Sequence, residues 1–303
     1  MKFSIIIPFY KYTGYLDKCL ESCFNQTFTD FDIFLVDDGS PKSSEEEIKR
    51  ILNKNVNDIP FSFHRLENGG AAAARNYASN LSKSDYLVFL DCDDLLHKDA
   101  LLFYNMALND DLNTVLTTKR FEFNNFIDTS VLNNNINLET CIVNRSKNYF
   151  TNRVYFKFGA SNIIVPRNSF LRVDGFRLRS EKTWYAEDHD LLLKLGDLKF
   201  IFIEEPYLVY YRYHENNSIH NLEGIGYGVL ELVYANQMKK YPGTKTYDIK
   251  KLEIIGSPVF HIVFRLIKAK KYRLALSILK QGYKYIYFFT KSKIGRNAKR
   301  KSI

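Results

Sequence analysis

A strand of the buried type that ends in a cluster of acids is the feature that most constrains this chain. Residues 86–90 read Tyr-Leu-Val-Phe-Leu, and Asp91, Cys92, Asp93 and Asp94 follow directly. A continuous apolar run predicts an interior strand of a mainly parallel sheet, where ligands bind beyond the carboxyl ends of the strands. Close carboxylates repel one another unless a cation or hydrogen-bond donors compensate, and Mg²⁺ and Mn²⁺ prefer such oxygen ligands. The run therefore predicts a metal–diphosphate site, with a solvated acidic turn that caps the next helix as the alternative.

Apolar strands and helices alternate along the first 95 residues. The sequence predicts further strands at 4–10, 31–36 and 61–66, and helices at 16–24, at 45–52 and after the Gly69–Gly70 pair. The strand at 31–36 also ends in acids, Asp37 and Asp38. This alternation predicts an α/β nucleotide-binding fold with a mainly parallel sheet flanked by helices.

Five motifs occur in order along the chain. They read I-I-I-P at 5–8, V-D-D-G-S at 36–40, N-G-G-A-A-A-A-R-N at 68–76, F-L-D-C-D-D at 89–94 and Y-A-E-D at 185–188. In this order and spacing they resemble the family 2 glycosyltransferases with the GT-A fold, which implies a Rossmann-like, mixed, mainly parallel sheet flanked by helices. The resemblance implies a catalytic domain at 1–218, with a nucleotide-sugar half at 1–95 and an acceptor half at 96–218. Residues 219–303 would form a helical, basic, amphipathic C-terminal extension.

The resemblance also implies a donor site made of particular residues. The implied donor-binding residues are Pro8, Tyr10, Asp37, Asp38, Gly70, Arg75, Asp91, Cys92 and Arg212. Asp37 or Asp38 can accept a ring N–H of the nucleotide base, with turn or helix-cap chemistry as the alternative. Arg75 offers several planar donors to a base or phosphate, with a surface salt bridge as the alternative. Strand alternation turns Cys92 away from the flanking acids, and we interpret its side chain as packing.

A metal and its ligands follow from the same family pattern. It assigns Asp91 to the ribose or the metal and Asp93 to the metal and the donor diphosphate, with Mn²⁺ or Mg²⁺ as the cofactor. The segment 210–218 resembles the family's R-x-H-x-x-S sequence, which implies that His214 is a further metal or diphosphate ligand. Arg212 could neutralise the leaving diphosphate.

The catalytic base is expected in the second half of the domain. Glu187 and Asp188 precede the apolar run 191–195, so they lie at a helix N-terminus, where the dipole favours carboxylates. An ionised carboxylate can deprotonate an acceptor hydroxyl. The resemblance implies that Asp188 is this base and that the anomeric configuration inverts, whereas ordinary acids at a helix start are the alternative. Trp184, the only tryptophan, is predicted to stack on an acceptor sugar or to anchor the core.

Positive charge is concentrated in the tail. Residues 265–303 carry 13 Lys or Arg and no Asp or Glu, although the whole chain is only +9. Aromatic and aliphatic residues lie among these cations, which predicts interfacial helices at 258–303 that bind an anionic membrane surface. The alternative is a helical hairpin that packs on the catalytic domain and leaves a solvated basic end. Binding of nucleic acid is not expected, because no recognition motif accompanies the charge.

The remaining composition bears on location. The four cysteines lack metal-type spacing, and Cys19 and Cys23 share a predicted apolar helix face, which indicates reduced thiols. The sequence shows neither a signal peptide nor an apolar run long enough to span a bilayer. We therefore expect a cytoplasmic protein, peripheral at the inner face of the cell membrane, and leave a homo-oligomer open. The Asn-rich loop at 124–137 is expected to be mobile above the acceptor cleft.

The sequence argues against two other classes of enzyme. A dehydrogenase would need G-x-G-x-x-G after the first strand, where residues 8–14 contain one glycine. A sugar-nucleotide pyrophosphorylase would need a glycine-rich phosphate loop at its start, and this sequence has none there. The sequence instead predicts a metal-dependent, inverting hexosyl- or N-acetylhexosaminyl-transferase that uses a UDP sugar, with dTDP and GDP sugars open. Its acceptor would be a lipid-linked or cell-surface glycan, as in capsule or lipopolysaccharide synthesis, and a non-catalytic glycan-binding subunit is the alternative.

Overall fold

The structure is a computed structural model that describes residues 1–11, 14–41, 46, 49–50, 59–109, 111–124, 137–144, 159–178, 185–242 and 245–300. The strands in this part of the chain are β1 (Phe3–Phe9), β2 (Phe31–Asp37), β3 (Phe61–Arg65), β4 (Tyr86–Phe89), β5 (Leu95–Leu96), β6 (Thr114–Thr118), β7 (Arg120–Phe123), β8 (Glu139–Asn144), β9 (Ile163–Pro166), β10 (Lys199–Glu205) and β11 (Val209–Arg212). The α-helices are α1 (Leu16–Phe24), α2 (Ala71–Leu81), α3 (Ala100–Leu108), α4 (Arg167–Arg172), α5 (Glu187–Lys194), α6 (Leu222–Gln237), α7 (Lys245–Lys268) and α8 (Tyr272–Arg300).

Eight of these strands form one sheet in the order β3-β2-β1-β4-β9-β6-β10-β8. Strands β3, β2, β1 and β4 are parallel, and β10 is parallel to β6. Strand β9 lies antiparallel between β4 and β6, and β8 is antiparallel to β10 at the sheet edge. The predicted mixed, mainly parallel sheet is therefore confirmed.

Helices cover both faces of this sheet. Strand β1 is buried at every position, and its successive side chains enter different cores. Ile5 packs with Leu20 of α1 and Tyr104 of α3, whereas Ile6 packs on the other face with Ala74 of α2 and Leu191 of α5. Burial on both faces explains why β1 and β4 are apolar runs rather than alternating ones.

The parallel register brings the acidic segments to one edge. Phe9 at the end of β1 pairs with Asp37 of β2, and Ile6 pairs with Phe89 of β4, so the three strands end side by side. A second, three-stranded sheet with the order β5-β11-β7 lies beside the acidic turn that follows β4. It brings Arg212, at the end of β11, to Asp94, whose Oδ1 accepts the Arg212 backbone N–H at 3.0 Å.

The C-terminal helices form a bundle with its own apolar core. Its buried members include Val229, Leu232, Val233, Ile255, Val259, Ile262, Leu266, Ala275, Ile278 and Tyr285, together with Leu193 of α5. The helical hairpin that was the alternative reading of the tail is thus present as α7 and α8. The expectation of interfacial helices is corrected for these buried residues, because the same residues fill the bundle core. Among the described helices, none is both long and apolar enough to cross a membrane.

Some predictions concern residues that the structure does not describe. The predicted helix at 45–52 and the Asn-rich loop at 124–137 lie largely outside the described residues, and Trp184 lies wholly outside them. The other predicted strands and helices of the first half are found within a few residues of their predicted bounds.

Docking of the hairpin can be tested with two isoleucines of the same helical pair. Ile278 is fully buried in the bundle, whereas Ile267 is 44% exposed. We expect Ile278→Ala to lower the free energy of unfolding by about 2–4 kcal/mol and Ile267→Ala to change it by less than about 0.5 kcal/mol. Urea denaturation of both variants measures the difference, and equal effects would contradict the docked arrangement.

Candidate active site

A cleft of about 510 Å³ opens where β1, β2 and β4 end, and its size is typical of a small-molecule site. The predicted site residues that line it are Pro8, Tyr10, Asp38, Gly70, Arg75, Asp91, Cys92, Asp93 and Glu187. Asp37, Asp188, Arg212 and His214 lie nearby but are not part of its lining. The structure therefore brings most of the predicted donor, metal and catalytic residues together around one cavity. Cys92 both lines the cleft and packs against the core, so the packing interpretation holds only in part.

The acidic turn after β4 holds three carboxylates in close proximity. One oxygen each of Asp91, Asp93 and Asp94 lies within 4.8 Å of the others. Burial and then repulsion from Asp91 raise the pKa of Asp93. Burial, with repulsion from Asp93 and Asp91, raises the pKa of Asp94 well above its usual range. A divalent cation would relieve this repulsion, and carboxylate oxygens are the ligands that Mn²⁺ and Mg²⁺ prefer, so the residues fit such an ion.

The segment that follows β11 supports this turn from one side. His214 Nε2 lies 2.8 Å from Asp93 Oδ2, and its ring stacks on Tyr15 with centroids 5.3 Å apart. The same imidazole accepts the Asn216 backbone N–H at Nδ1, so its Nε2 carries the proton that Asp93 accepts.

Arg212 has a different place from the one predicted. Its guanidinium lies 4.5 Å from the ring centre of Tyr15 and 4.6 Å from that of Phe123, and its Nε donates to the Asp93 backbone carbonyl at 3.0 Å. The side chain is buried beneath the acidic turn rather than in the cleft lining, because the two rings and the carbonyl hold it there. Arg212 therefore shapes the turn that carries the metal-type acids.

The two acids at the end of β2 are held by backbone amides. Asp38 accepts the N–H groups of Gly69 and Gly70 at 2.8 and 2.9 Å, which fixes the loop before α2 against the cleft. Gly70 has φ +89°, a conformation that favours glycine. Asp37 is fully buried, accepts the Ser40 N–H at 2.8 Å and pairs with Arg65. The turn chemistry that was the alternative role is therefore present at both acids, but Asp38 alone of the two faces the cleft.

Arg75 joins the two halves of the site. Its guanidinium is only 3% exposed, donates to Asp91 and lies 3.4 Å from Glu187 Oε1. Burial alone would lower the pKa of Arg75, but the charges of Asp91 and Glu187 outweigh it and raise the pKa. The alternative of a surface salt bridge is thus wrong, since the ion pairs are made by a buried guanidinium that lines the cleft.

The paired acids at the start of α5 are in different environments. Glu187 lines the cleft, and burial followed by repulsion from Asp188 raises its pKa to about 7. Asp188 instead accepts the backbone N–H of His189 at 2.7 Å and lies 3.1 Å from its Nδ1. Burial would raise the pKa of Asp188, but the neighbouring His189 lowers it. The carboxylate that faces the cleft is therefore Glu187, whereas the resemblance pointed to Asp188.

Several residues of the site were not among the predicted site residues. Arg177 lines the cleft and donates from Nη2 to the Tyr185 carbonyl at 2.9 Å, although it belongs to no motif. Tyr185 also lines the cleft and could have been found as the first residue of the Y-A-E-D motif. Tyr15 stacks on both His214 and Arg212, and only its position before α1 hinted at a site.

Comparison with known proteins gives this arrangement a family. The sequence profile of Glycosyl transferase family 2 matches residues 4–178. The chain is 30% identical over 231 residues to a chondroitin synthase of Pasteurella multocida, a match that covers 73% of this chain and 22% of the synthase. The chain thus corresponds to about a fifth of that relative's length.

Solved structures show the same fold. The Staphylococcus aureus protein TarS (residues 1–349), solved with UDP-GlcNAc, superposes with a TM-score of 0.60 at 17% identity, covering 97% of this chain and 92% of that one. The mannosyltransferase PcManGT of Pyrobaculum calidifontis, solved with GDP-Man and Mn²⁺, gives 0.57 at 15% identity, covering 95% and 84%. This chain has the GT-A fold and belongs to glycosyltransferase family 2.

Proposed function

We propose that this protein is a metal-dependent, inverting glycosyltransferase that moves a hexosyl or N-acetylhexosaminyl group from a UDP sugar to a hydroxyl of a cell-surface glycan or lipid-linked oligosaccharide. The observation that carries the proposal is one cleft that holds both a cation-type acid cluster and a separate carboxylate of raised pKa. A donor diphosphate at the first and an acceptor hydroxyl at the second would bring both reactants into one cleft, as a single displacement requires.

The nucleotide end of the donor is assigned to the β1–β2 side of the cleft. Pro8, Tyr10 and Asp38 line this side, and Asp37 lies beneath it. The base is therefore expected at Asp38, and the role of Asp37 is to hold the turn through Ser40. The UDP-GlcNAc complex of TarS supports a UDP sugar as the donor.

The cation is assigned to Asp91 and Asp93, with His214 beside Asp93. A bound divalent cation supplies positive charge to the diphosphate of the donor as the nucleotide leaves. Arg75 and Arg212 keep these acids in position, the first by its bond to Asp91 and the second by its bond to the Asp93 carbonyl. The Mn²⁺ in the PcManGT structure supports Mn²⁺, and Mg²⁺ is the alternative.

Proton abstraction from the acceptor is assigned to the Glu187–Asp188 pair, with Glu187 as the member that faces the substrate. A general base works best when its pKa lies near the working pH, and Glu187 meets that condition at about 7. The ion pair with Arg75, whose Nη1 lies 3.4 Å from Glu187 Oε1, holds the carboxylate in the cleft. Asp188, bonded to His189, contributes the charge that keeps the pKa of Glu187 high.

The acceptor is expected at a membrane surface. The outer side of the bundle carries exposed apolar and basic side chains together, such as Leu276, Tyr283 and Tyr287 with Lys280 and Lys284 on α8. Their spacing of three or four residues places them on one helix face. Aromatic side chains among lysines suit the interface of an anionic bilayer, which supports a peripheral enzyme at the inner face of the membrane.

The donor and its cation can be tested together. We expect one sugar of a UDP, dTDP and GDP panel to raise the melting temperature of the protein in the presence of Mn²⁺, because a ligand of the folded state stabilises it by mass action. Asp93→Asn should lose this stabilisation and transfer activity, yet keep its fold, since it removes one of three mutually repelling acids. Asp197→Asn, at an exposed ion pair with Arg172, is the control.

Two results would count against this assignment. Full activity of Asp93→Asn with EDTA present would remove the metal from the mechanism. Donor binding without transfer to any glycan would instead identify a non-catalytic binding subunit.

The base can be identified by a pair of isosteric variants. Glu187→Gln should lower kcat by about 10²-fold or more while donor affinity stays within a few-fold, because only the proton acceptor is lost. Asp188→Asn should keep more of the turnover, since its carboxylate bonds to His189 outside the cleft lining. Wild-type activity should fall as the pH drops below about 7, where Glu187 takes up a proton. A larger loss of kcat in Asp188→Asn would return the role to Asp188.

Membrane binding can be tested by charge reversal on the outer face of α8. We expect the intact protein to sediment with anionic liposomes and not with neutral ones, and Lys280→Glu/Lys284→Glu to weaken this binding by about tenfold or more. Lys83→Glu/Lys98→Glu, at exposed lysines of the catalytic domain, is the matched control. Salt at about 0.5 M should also release the intact protein. Intact protein that stays in the supernatant would rule out the membrane surface.

A further inference from the structure

The turn that leads into α5 is held by the C-terminal extension as well as by the sheet. Ala186, directly before Glu187, has φ +65°, a left-handed conformation that alanine rarely adopts. Its side chain cannot cap the helix, and the start of α5 has no side-chain cap bond. The conformation that aims Glu187 into the cleft therefore needs support from its surroundings.

Helix α6 supplies close contacts at this point. A Cβ added at Gly228 would lie 2.2 Å from the Tyr185 carbonyl oxygen, and one at Gly224 would lie 2.1 Å from the Tyr185 ring. Both glycines thus let the helix approach the residue that precedes Ala186. The same Tyr185 carbonyl accepts a hydrogen bond from Arg177. Tyr185 is therefore held in place by both α6 and an arginine of the cleft.

A buried polar contact ties the bundle to the same helix. The Tyr241 hydroxyl donates to Asp190 Oδ1 at 2.8 Å, and Lys194 Nζ lies 2.9 Å from Asp190 Oδ2. Asp190 is 2% exposed and Tyr241 4% exposed, so the hydrogen bond is shielded from water. Leu193 of α5 adds an apolar contact in the bundle core.

From these contacts we infer that Gly228 and Tyr241 of the C-terminal extension are positioning residues for Glu187. This inference rests on the proposed function, because it gives the extension a part in the transfer step. Every predicted catalytic residue precedes residue 219, so the sequence motifs assign the extension no part in catalysis. The structure instead holds α5 between the sheet and the bundle, so a shift of α6 moves the Tyr185–Ala186 turn and the carboxylate that follows it.

Paired variants test the inference. Tyr241→Phe removes only the hydrogen bond to Asp190, and Tyr285→Phe is its control, because the equally buried Tyr285 hydroxyl bonds to Asn236 and Val233 within the bundle. We expect Tyr241→Phe to lower kcat by about tenfold with the donor KM within about threefold, because small misplacements of a reacting group lower the rate steeply. Tyr285→Phe should keep the wild-type kcat.

A second pair changes the backbone contact. Gly228→Ala introduces a clash with Tyr185, whereas Gly256→Ala places its Cβ 2.1 Å from the Tyr285 carbonyl oxygen, inside the hairpin and away from α5. At matched stability, Gly228→Ala should lose about 10²-fold in kcat and Gly256→Ala should lose little. If both glycine variants fail to fold, the tyrosine pair decides the question.

Hydrogen–deuterium exchange separates this inference from the proposed function. Gly228→Ala and Tyr241→Phe should speed exchange of the amides at 187–190, and their controls should not. Faster exchange without any transfer by the wild-type protein would leave the positioning inference standing and remove the enzymatic function. Unchanged kcat and unchanged exchange at 187–190 in both variants, in a wild-type protein that transfers sugar, would overturn the inference alone.

Discussion

The site depends on one buried cation. Arg75 is enclosed between Asp91 of the acidic turn and Glu187 of α5, and its guanidinium also lies 5.2 Å from the ring centre of Phe176. A guanidinium cannot lose its proton in a protein, so burying it is unfavourable unless carboxylates surround it. The fold supplies those carboxylates from two segments almost a hundred residues apart. The same requirement that keeps Arg75 paired therefore holds the acidic turn and the start of α5 at a fixed separation across the cleft.

The acids of the turn after β4 need positive charge or hydrogen-bond donors around them. The turn after β4 gathers three acids in a small volume, and one guanidinium cannot neutralise them all. Hydrogen-bond donors of the protein stabilise part of this negative charge, because the Arg212 backbone N–H bonds to Asp94 and His214 lies against Asp93. Burial, together with the remaining repulsion, raises the pKa of Asp93 and Asp94 and leaves the turn suited to a divalent ion.

The sequence could predict the sheet and the acidic edge because both follow from local patterns. Apolar runs predicted β1, β2 and β4, and parallel strands bring the residues at their carboxyl ends together whatever the loops do. Side-chain direction was harder to predict. Glu187 and Asp188 are adjacent and chemically alike, so the sequence does not show which of them faces the cleft. The left-handed backbone of Ala186 before them is equally hidden, because alanine does not favour that conformation as glycine does.

Contacts between distant segments were equally hidden. The family pattern assigned Arg212 to the diphosphate. Nothing in the neighbouring sequence showed that Tyr15 and Phe123 would enclose its guanidinium. The tail was ambiguous for a different reason. A helix with apolar residues around much of its circumference can pack against a helical core on one side and against lipid on the other. Periodicity alone does not show that Val259 is buried in the bundle whereas its neighbour Phe260 is exposed.

The position of α5 has a consequence for how such chains can diversify. Leu191 and Leu192 of this short helix are buried with the sheet, whereas Leu193 is buried with the bundle. Because α5 packs in both the sheet core and the bundle core, replacing either core would disturb the packing of this helix. Recombination that replaced the helices after residue 221 would have to preserve the surface that meets Leu193, Tyr185 and Asp190. Exchange of whole C-terminal bundles is therefore restricted, and changes in what the cleft binds are more readily made in the loops around it.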